Sequence, residues 1–491
     1  MKKKIALYVV INITLIVVML CFIHLDRQFC MNVPVVSESR FEKLTEITTL
    51  DISELTFNDE DVAVDFPSNS IYISQSFERL SYFYDLQGKL QVSNPEYTLF
   101  FLDTPEMENI QESVRNGKPL TLLIKCGESY QKVNLVITTL PILYLDYEST
   151  AEDDEGREIN NGKMSLWEDC WTTTCSAEWR LRGNSTRTYP KKAWKLNLRK
   201  ENGENENKDL LGLGSDDDWI LNPMSMDDTK TKERLSQKLW NQLASETDYN
   251  YQMSQGEYVE VIINGAYQGI YMLQRRVDTK YLNLDEEEDV LLKGVNIWEA
   301  DTISEGYEII SSPYDNEKTY IHLEKALNFQ DENGMNINNF IDVELLLQFL
   351  SGADNYGYKN MFYALLKTNE VYEMYLIPWD TDLSLGVTWG YDYEESLNEI
   401  IERQELETIR KQIPDVDEQI ARRWNELRKN IYSEENIFSI LENIVSEVTS
   451  SGAISRDQEC WGLLHEGEDN LENLQSFIKE RLEFLDGYYS Y

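Results

Sequence analysis

The stretch GADNYGYKNMFYALLKTNEVYEMYLIPWDTDLSLG, residues 352–386, decides how the rest of the chain is read. Residues 361–366 and 371–377 are short runs rich in aromatic and aliphatic side chains, split by Lys367, Thr368, Asn369 and Glu370. Two such runs around a polar break predict a β-hairpin. Asp354 and Asn360 precede it; Asp380 and Asp382 follow it in Pro378-Trp379-Asp380-Thr381-Asp382. An acid and an amide therefore meet two further acids at one sheet edge. Oxygen ligands of this kind suit Mg²⁺, which also bridges phosphates. Asp and Asn equally cap turns, and for Asp354 alone that plainer reading is preferred. Asp380 and Asp382 are harder to explain so, because they follow an apolar strand directly.

Upstream, residues 179–186 read Trp-Arg-Leu-Arg-Gly-Asn-Ser-Thr, a strand running into a polar turn. Strand alternation sets Arg180 and Arg182 on one face, and in the following strand it aligns Ala193, Lys195 and Asn197. Arg182 and Lys195 thus point the same way across a turn built from Gly183, Asn184 and Ser185. Cations beside an amide-rich turn are what a polyphosphate needs; a solvated sheet face explains the same pattern equally well. Asp216, Asp217 and Asp218 are read as a solvated loop or cap, and Asn264-Gly265 as a hairpin turn. Arg234, on a helix expected over 228–243, is placed to pair with a carboxylate. A serine or cysteine hydrolase is disfavoured, since the chain has three His and none beside a nucleophile motif.

The 491 residues carry 88 acidic against 45 basic side chains, a net charge of −43. That surface repels nucleic acid and anionic lipid, so any nucleotide pocket must bring its own cations. Lys2, Lys3 and Lys4 precede the uncharged run 5–23, which is long enough to span a bilayer. The expectation is an uncleaved membrane anchor with an extracytoplasmic body, a cleaved signal being the alternative. Cys170 and Cys175 are close enough to pair, which an exported compartment permits. The expected organisation is an anchor at 1–30, a linker at 31–45, a small β-sandwich-like domain at 46–139, a core at 140–395 and a helical part at 396–491. Within the core, the acidic stretch 151–169 is read as an exposed loop.

Four stretches in order, RLRGNSTRTYPKKAWKLNL (180–198), LLGLGSDDDWILN (210–222), YVEVIINGAYQGIYML (258–273) and DNYGYKNMFYALL…YLIPWDTDLSLG (354–386), resemble the CotH kinase family of atypical protein kinases. Protein kinases share the order of acid-and-amide loop, hairpin and metal-binding acid. The resemblance implies an α+β, two-lobed kinase-like domain that uses ATP with Mg²⁺ or Mn²⁺. Its substrate would be Ser or Thr of a protein at the cell surface or spore coat. It makes Asp380 the metal-binding acid with Asp382 beside it, Asp354 the catalytic-loop acid and Asn360 the downstream amide. Lys195 becomes the phosphate-contacting lysine, helped by Arg182 and the turn of Gly183, Asn184 and Ser185. A catalytically inactive scaffold for surface or coat assembly is the alternative, and a metal-dependent phosphohydrolase the third reading.

Overall fold

The computed structural model describes residues 29–490 apart from 77–87, 153–155, 170, 184, 250, 296–299, 353, 356–358, 389–392 and 402–403. The span expected at 5–23 lies outside the described residues, among which no helix is long and apolar enough to cross a membrane. Short alternating runs before residue 140 form an eight-stranded sheet and a three-stranded sheet. Val64, Ile71, Phe101, Leu122 and Leu135 of the first share one buried core with Leu55 and Leu90 of the second. The linker expected at 31–45 is partly sheet. Val33–Val36 runs parallel to Tyr97–Leu102, because its valines complete a row that would otherwise leave a bare edge.

Seven strands then close into a barrel: Ile142–Glu152, Glu158–Glu168, Trp171–Leu181, Trp194–Arg199, Asp218–Asn222, Ala266–Arg275 and Gly256–Ile263. Parallel pairing of Ile142 with Glu260 completes the ring. The exposed loop expected at 151–169 is instead mostly strand. Lys163 is exposed, while Gly162, Met164 and Leu166 face in and are buried. Gly162 sits so close that a Cβ there would lie 1.9 Å from the Asp146 carbonyl oxygen. Trp179 and Trp219 fill the interior. Cys175 shares that inward face; Cys170, with which it was expected to pair, lies outside the described residues. The Asn264-Gly265 turn joins its strands with positive φ at both residues, 52° and 69°, as a two-residue hairpin requires.

The second sheet runs Tyr307–Ser311, Val290–Gly294, Met361–Thr368, Val371–Pro378, Gly334–Met335. Helix Ile337–Leu350 covers one face. Asn339 docks it by donating Nδ2 to the Leu376 carbonyl at 3.0 Å and accepting the Leu376 N–H at 2.7 Å. The helix starts at Ile337 because Asn336 caps it, accepting the Asn339 N–H. The other face, with Leu291, Phe362, Ala364 and Ile377, packs with Trp379 against Ile220 on the outside of the barrel. A cleft between barrel and sheet results. Helices Lys232–Ser245, Val416–Leu427, Glu434–Thr449, Ala453–Trp461 and Leu471–Tyr488 enclose the remaining core.

The last of these helices is wired into the cleft's supports. Arg481, fully buried, donates Nε to the Gln348 carbonyl at 2.9 Å and Nη1 to that of Leu397 at 2.7 Å, adding a side-chain donor to the last turn of helix Ile337–Leu350. Lys232, at the start of its helix, meets Asp227 at 2.9 Å and Asp469 at 2.5 Å. Lys191 meets Asp457 at 2.5 Å, and the same carboxylate accepts the Ile270 N–H. These pairs are buried, so removing one partner strands a charge. Asp457→Ala should lower stability by about 3–5 kcal/mol, read as a fall in the denaturation midpoint of the full chain. A midpoint unchanged within error would mean that the 453–461 helix is not anchored through this pair.

Candidate functional site

The hairpin is made by Met361–Thr368 and Val371–Pro378, joined by Asn369 and Glu370 with φ of 52° and 69°. Its register pairs Met361 with Pro378, so Asn360 and Trp379 emerge side by side at the open end. Asn360 and Asp380 both take left-handed backbone, φ 54° and 56°, a conformation that costs a non-glycine residue about 1–3 kcal/mol unless its surroundings impose it. Asn355 helps impose it. Fully buried, it donates Nδ2 to the Trp379 carbonyl at 2.9 Å and to the Asn360 carbonyl at 3.4 Å. The Gly294 carbonyl holds the Asn360 N–H at 3.1 Å. Asp354 then accepts from the Asn360 side chain at 2.6 Å and from Lys359 at 2.7 Å. Acid and amide, six positions apart, are in direct contact.

On the far side of the hairpin, Asp380 and Asp382 are half-buried. Burial raises both carboxyls above the usual range; Lys293 and Arg182 oppose the shift at Asp380, whereas Asp380, Glu233 and Asp227 add to it at Asp382, which rises furthest. Thr381 lies between them and donates its N–H at 2.6 Å and its hydroxyl at 2.8 Å to Glu233. Burial, then the charge of Asp380, pushes Glu233 up to about 7. Helix Lys232–Ser245 thereby grips the acidic loop. Among the described residues no group of three or more His, Cys, Asp or Glu is arranged to hold a metal ion. A cation here would rely on one or two carboxylates, the Asn360 amide and substrate oxygens, which is the sparse donor set that Mg²⁺ accepts. The residues fit such an ion.

The cations converge from the barrel and the sheet. Arg182 lies over the Trp379 ring at 5.9 Å, and Lys293 lies 5.7 Å from the same ring and 5.8 Å from Phe362. Lys195 shares the outer barrel face with Arg180, its cross-strand partner, but its ammonium pairs with Asp218 at 3.0 Å. Asp218 also takes Arg276 at 3.2 Å, and Asp216 takes Arg275 at 2.6 Å. The acidic triplet thus serves mainly to tie Arg275 and Arg276 to the barrel. A cavity of about 430 Å³ lies over this face, lined by Arg180, Lys195, Asn197 and Asp218 among others. Gly183 has φ 86° and is exposed, Ser185 opens a short 3-10 turn, and Asn184 lies outside the described residues.

The family model for CotH kinase protein matches residues 179–485. The chain belongs to the CotH kinase family. The match runs from the third barrel strand to the last helix, so it takes in both walls of the cleft and leaves the N-terminal sheets outside. No match was found among curated proteins. Membership brings a kinase-like character and, with it, a general expectation of ATP and a divalent ion. Two residues of the candidate site were missed in the sequence. Lys293 is the one charge inside the strand Val290–Gly294, and a lone lysine in an apolar run was the available signal. Glu233 sat in an ordinary amphipathic helix start and carried none.

Asn355→Ala removes a side chain that holds both ends of the hairpin. It should cost about 1–3 kcal/mol, because the Trp379 and Asn360 carbonyls lose their donor in a buried place. The denaturation midpoint of the full chain measures this; no change would show that the ends close without it.

Proposed function

We propose that this CotH-family chain is an atypical protein kinase that transfers the γ-phosphate of ATP to Ser or Thr of extracytoplasmic or coat proteins. The reading is carried by one observation: Asp354 with Asn360, and Asp380, meet at the open end of one hairpin, facing Arg182 across the cleft. Asp380 and Asn360 would hold Mg²⁺ or Mn²⁺, with Asp382 shaping the loop from below. When bound, the metal–nucleotide supplies the transferable phosphoryl group and the positive charge that offsets it. Asp354, kept in place by Lys359 and Asn360, orients the acceptor hydroxyl and takes its proton. Arg182, beside the turn of Gly183 to Ser185, holds the phosphate tail.

The location of the reaction is part of the proposal. The lysines at 2–4 and the uncharged run 5–23 support a single-pass anchor with the body outside the cytoplasm. The net charge of −43 supports a protein substrate over a nucleic acid. The domain limits at 46–139, 140–395 and 396–491, and the two-lobed description, belong to the same reading.

The test incubates the full chain and a mixed Ser/Thr protein substrate with labelled ATP and Mg²⁺ or Mn²⁺. Chelation should abolish label incorporation, and Asp354→Ala should lower it about 10²–10⁴-fold, the usual worth of a general base. Asp380→Ala should lower it at least as far. ATP binding without incorporation, indifferent to both substitutions, would replace the kinase by a scaffold. Release of free phosphate without protein labelling would replace it by a hydrolase.

A further inference from the structure

Lys293 and Arg182 stand on opposite walls of the cleft, one on the strand Val290–Gly294 and one at the end of the barrel strand Trp171–Leu181. Both reach the ring of Trp379, the residue immediately before Asp380, at 5.7 and 5.9 Å. Cross-strand pairing of Lys293 with Phe362 carries the lysine over that second ring. Its neighbour Gly294 holds Asn360, so Lys293 is fixed relative to both halves of the acidic site.

Neither cation has a hydrogen-bond acceptor for its side chain among the described residues. An ammonium has three donors and a guanidinium five; both side chains are half-buried, and leaving such donors without an acceptor is unfavourable. The two also repel. Burial, opposed by the charge of Asp380 and reinforced by Arg182 at Lys293 and by Arg276 at Arg182, leaves both with a weakened hold on their protons. Asp380 is the acid nearest in effect to both, and a divalent ion would occupy it. An anion that enters with the ion satisfies all of these groups at once. Lys195 is in the opposite condition. It is paired with Asp218 at 3.0 Å, and Arg276 shares the same carboxylate oxygen.

We propose that Lys293, with Arg182, forms the polyphosphate contact of this site, and that Lys195 instead neutralises Asp218 on the barrel. The ligand class is the polyphosphate tail of a nucleoside triphosphate; the identity of that ligand rests on the kinase reading, whereas the anion site itself does not.

Inorganic tripolyphosphate with Mg²⁺ is the probe, titrated calorimetrically against the full chain. Lys293→Met should weaken binding about 10-fold or more, as expected for loss of a charge-assisted contact. Lys293→Arg should keep most of it, and Lys195→Met should change it by less than about threefold. Thermal melting checks that each variant is folded; should Lys293→Met fail this, Lys293→Gln takes its place. Wild-type binding that survives loss of the Lys293 charge, a larger loss from Lys195→Met, or no binding by the wild type would each overturn the assignment. Binding that depends on Lys293 in a chain that transfers no phosphate would keep the anion site and remove the kinase reading. Transfer that persists in Lys293→Met would keep the kinase and remove the anion assignment.

Discussion

One buried amide group holds two carbonyls at once, and the acidic site follows from that. Asn355 donates to both Asn360 and Trp379, the residues from which the two ends of the hairpin depart. Without that bond the backbone at Asn360 and Asp380 would have reason to relax out of its left-handed conformation. With it, Asp354, Asn360 and Asp380 are set by main-chain geometry before any ligand arrives. Such preorganisation is where an electrostatic site gains most, because no reorganisation remains to be done during reaction.

Around this fixed end the charges are sorted by partner. Asp216 and Asp218 are matched to Arg275, Arg276 and Lys195 on the barrel. Asp227 and Asp469 are matched to Lys232 beneath the helix start, and Asp457 to Lys191 behind it. Asp380, Arg182 and Lys293 are left facing one another without direct contact. Among the described residues neither cation has a carboxylate within ion-pair distance, and in a chain this acidic the pairing elsewhere is what keeps it so. The helical part contributes too: Glu233 grips Thr381 and Arg481 holds the end of helix Ile337–Leu350, so the cleft is braced from below.

The hairpin, its flanking acids and the outward basic face of the barrel were legible because each depends on a period of two over a few residues. The strand Glu158–Glu168 was not, since its acids and amides masked the inward row of Gly162, Met164 and Leu166. The start of helix Ile337–Leu350 was hidden in Asn336, Asn338 and Asn339, poor helix formers of which Asn336 works here as cap and Asn339 as sheet anchor. Lys293 showed only as a charge in an apolar strand, and Glu233 showed as nothing unusual.

Local order alone thus established that Asp354, Asn360 and Asp380 bracket one hairpin, and that Arg182 and Lys195 share a strand face. It could not say which lysine is paired with an acid. That depends on which acid lies within a few ångströms, and Asp218 reaches Lys195 only because the barrel strands Trp194–Arg199 and Asp218–Asn222 are adjacent. Lys293 reaches Trp379 only because the second sheet sets Val290–Gly294 beside the hairpin. Ion pairing falls off over a short distance, and only the closed barrel and the packed sheet set those distances.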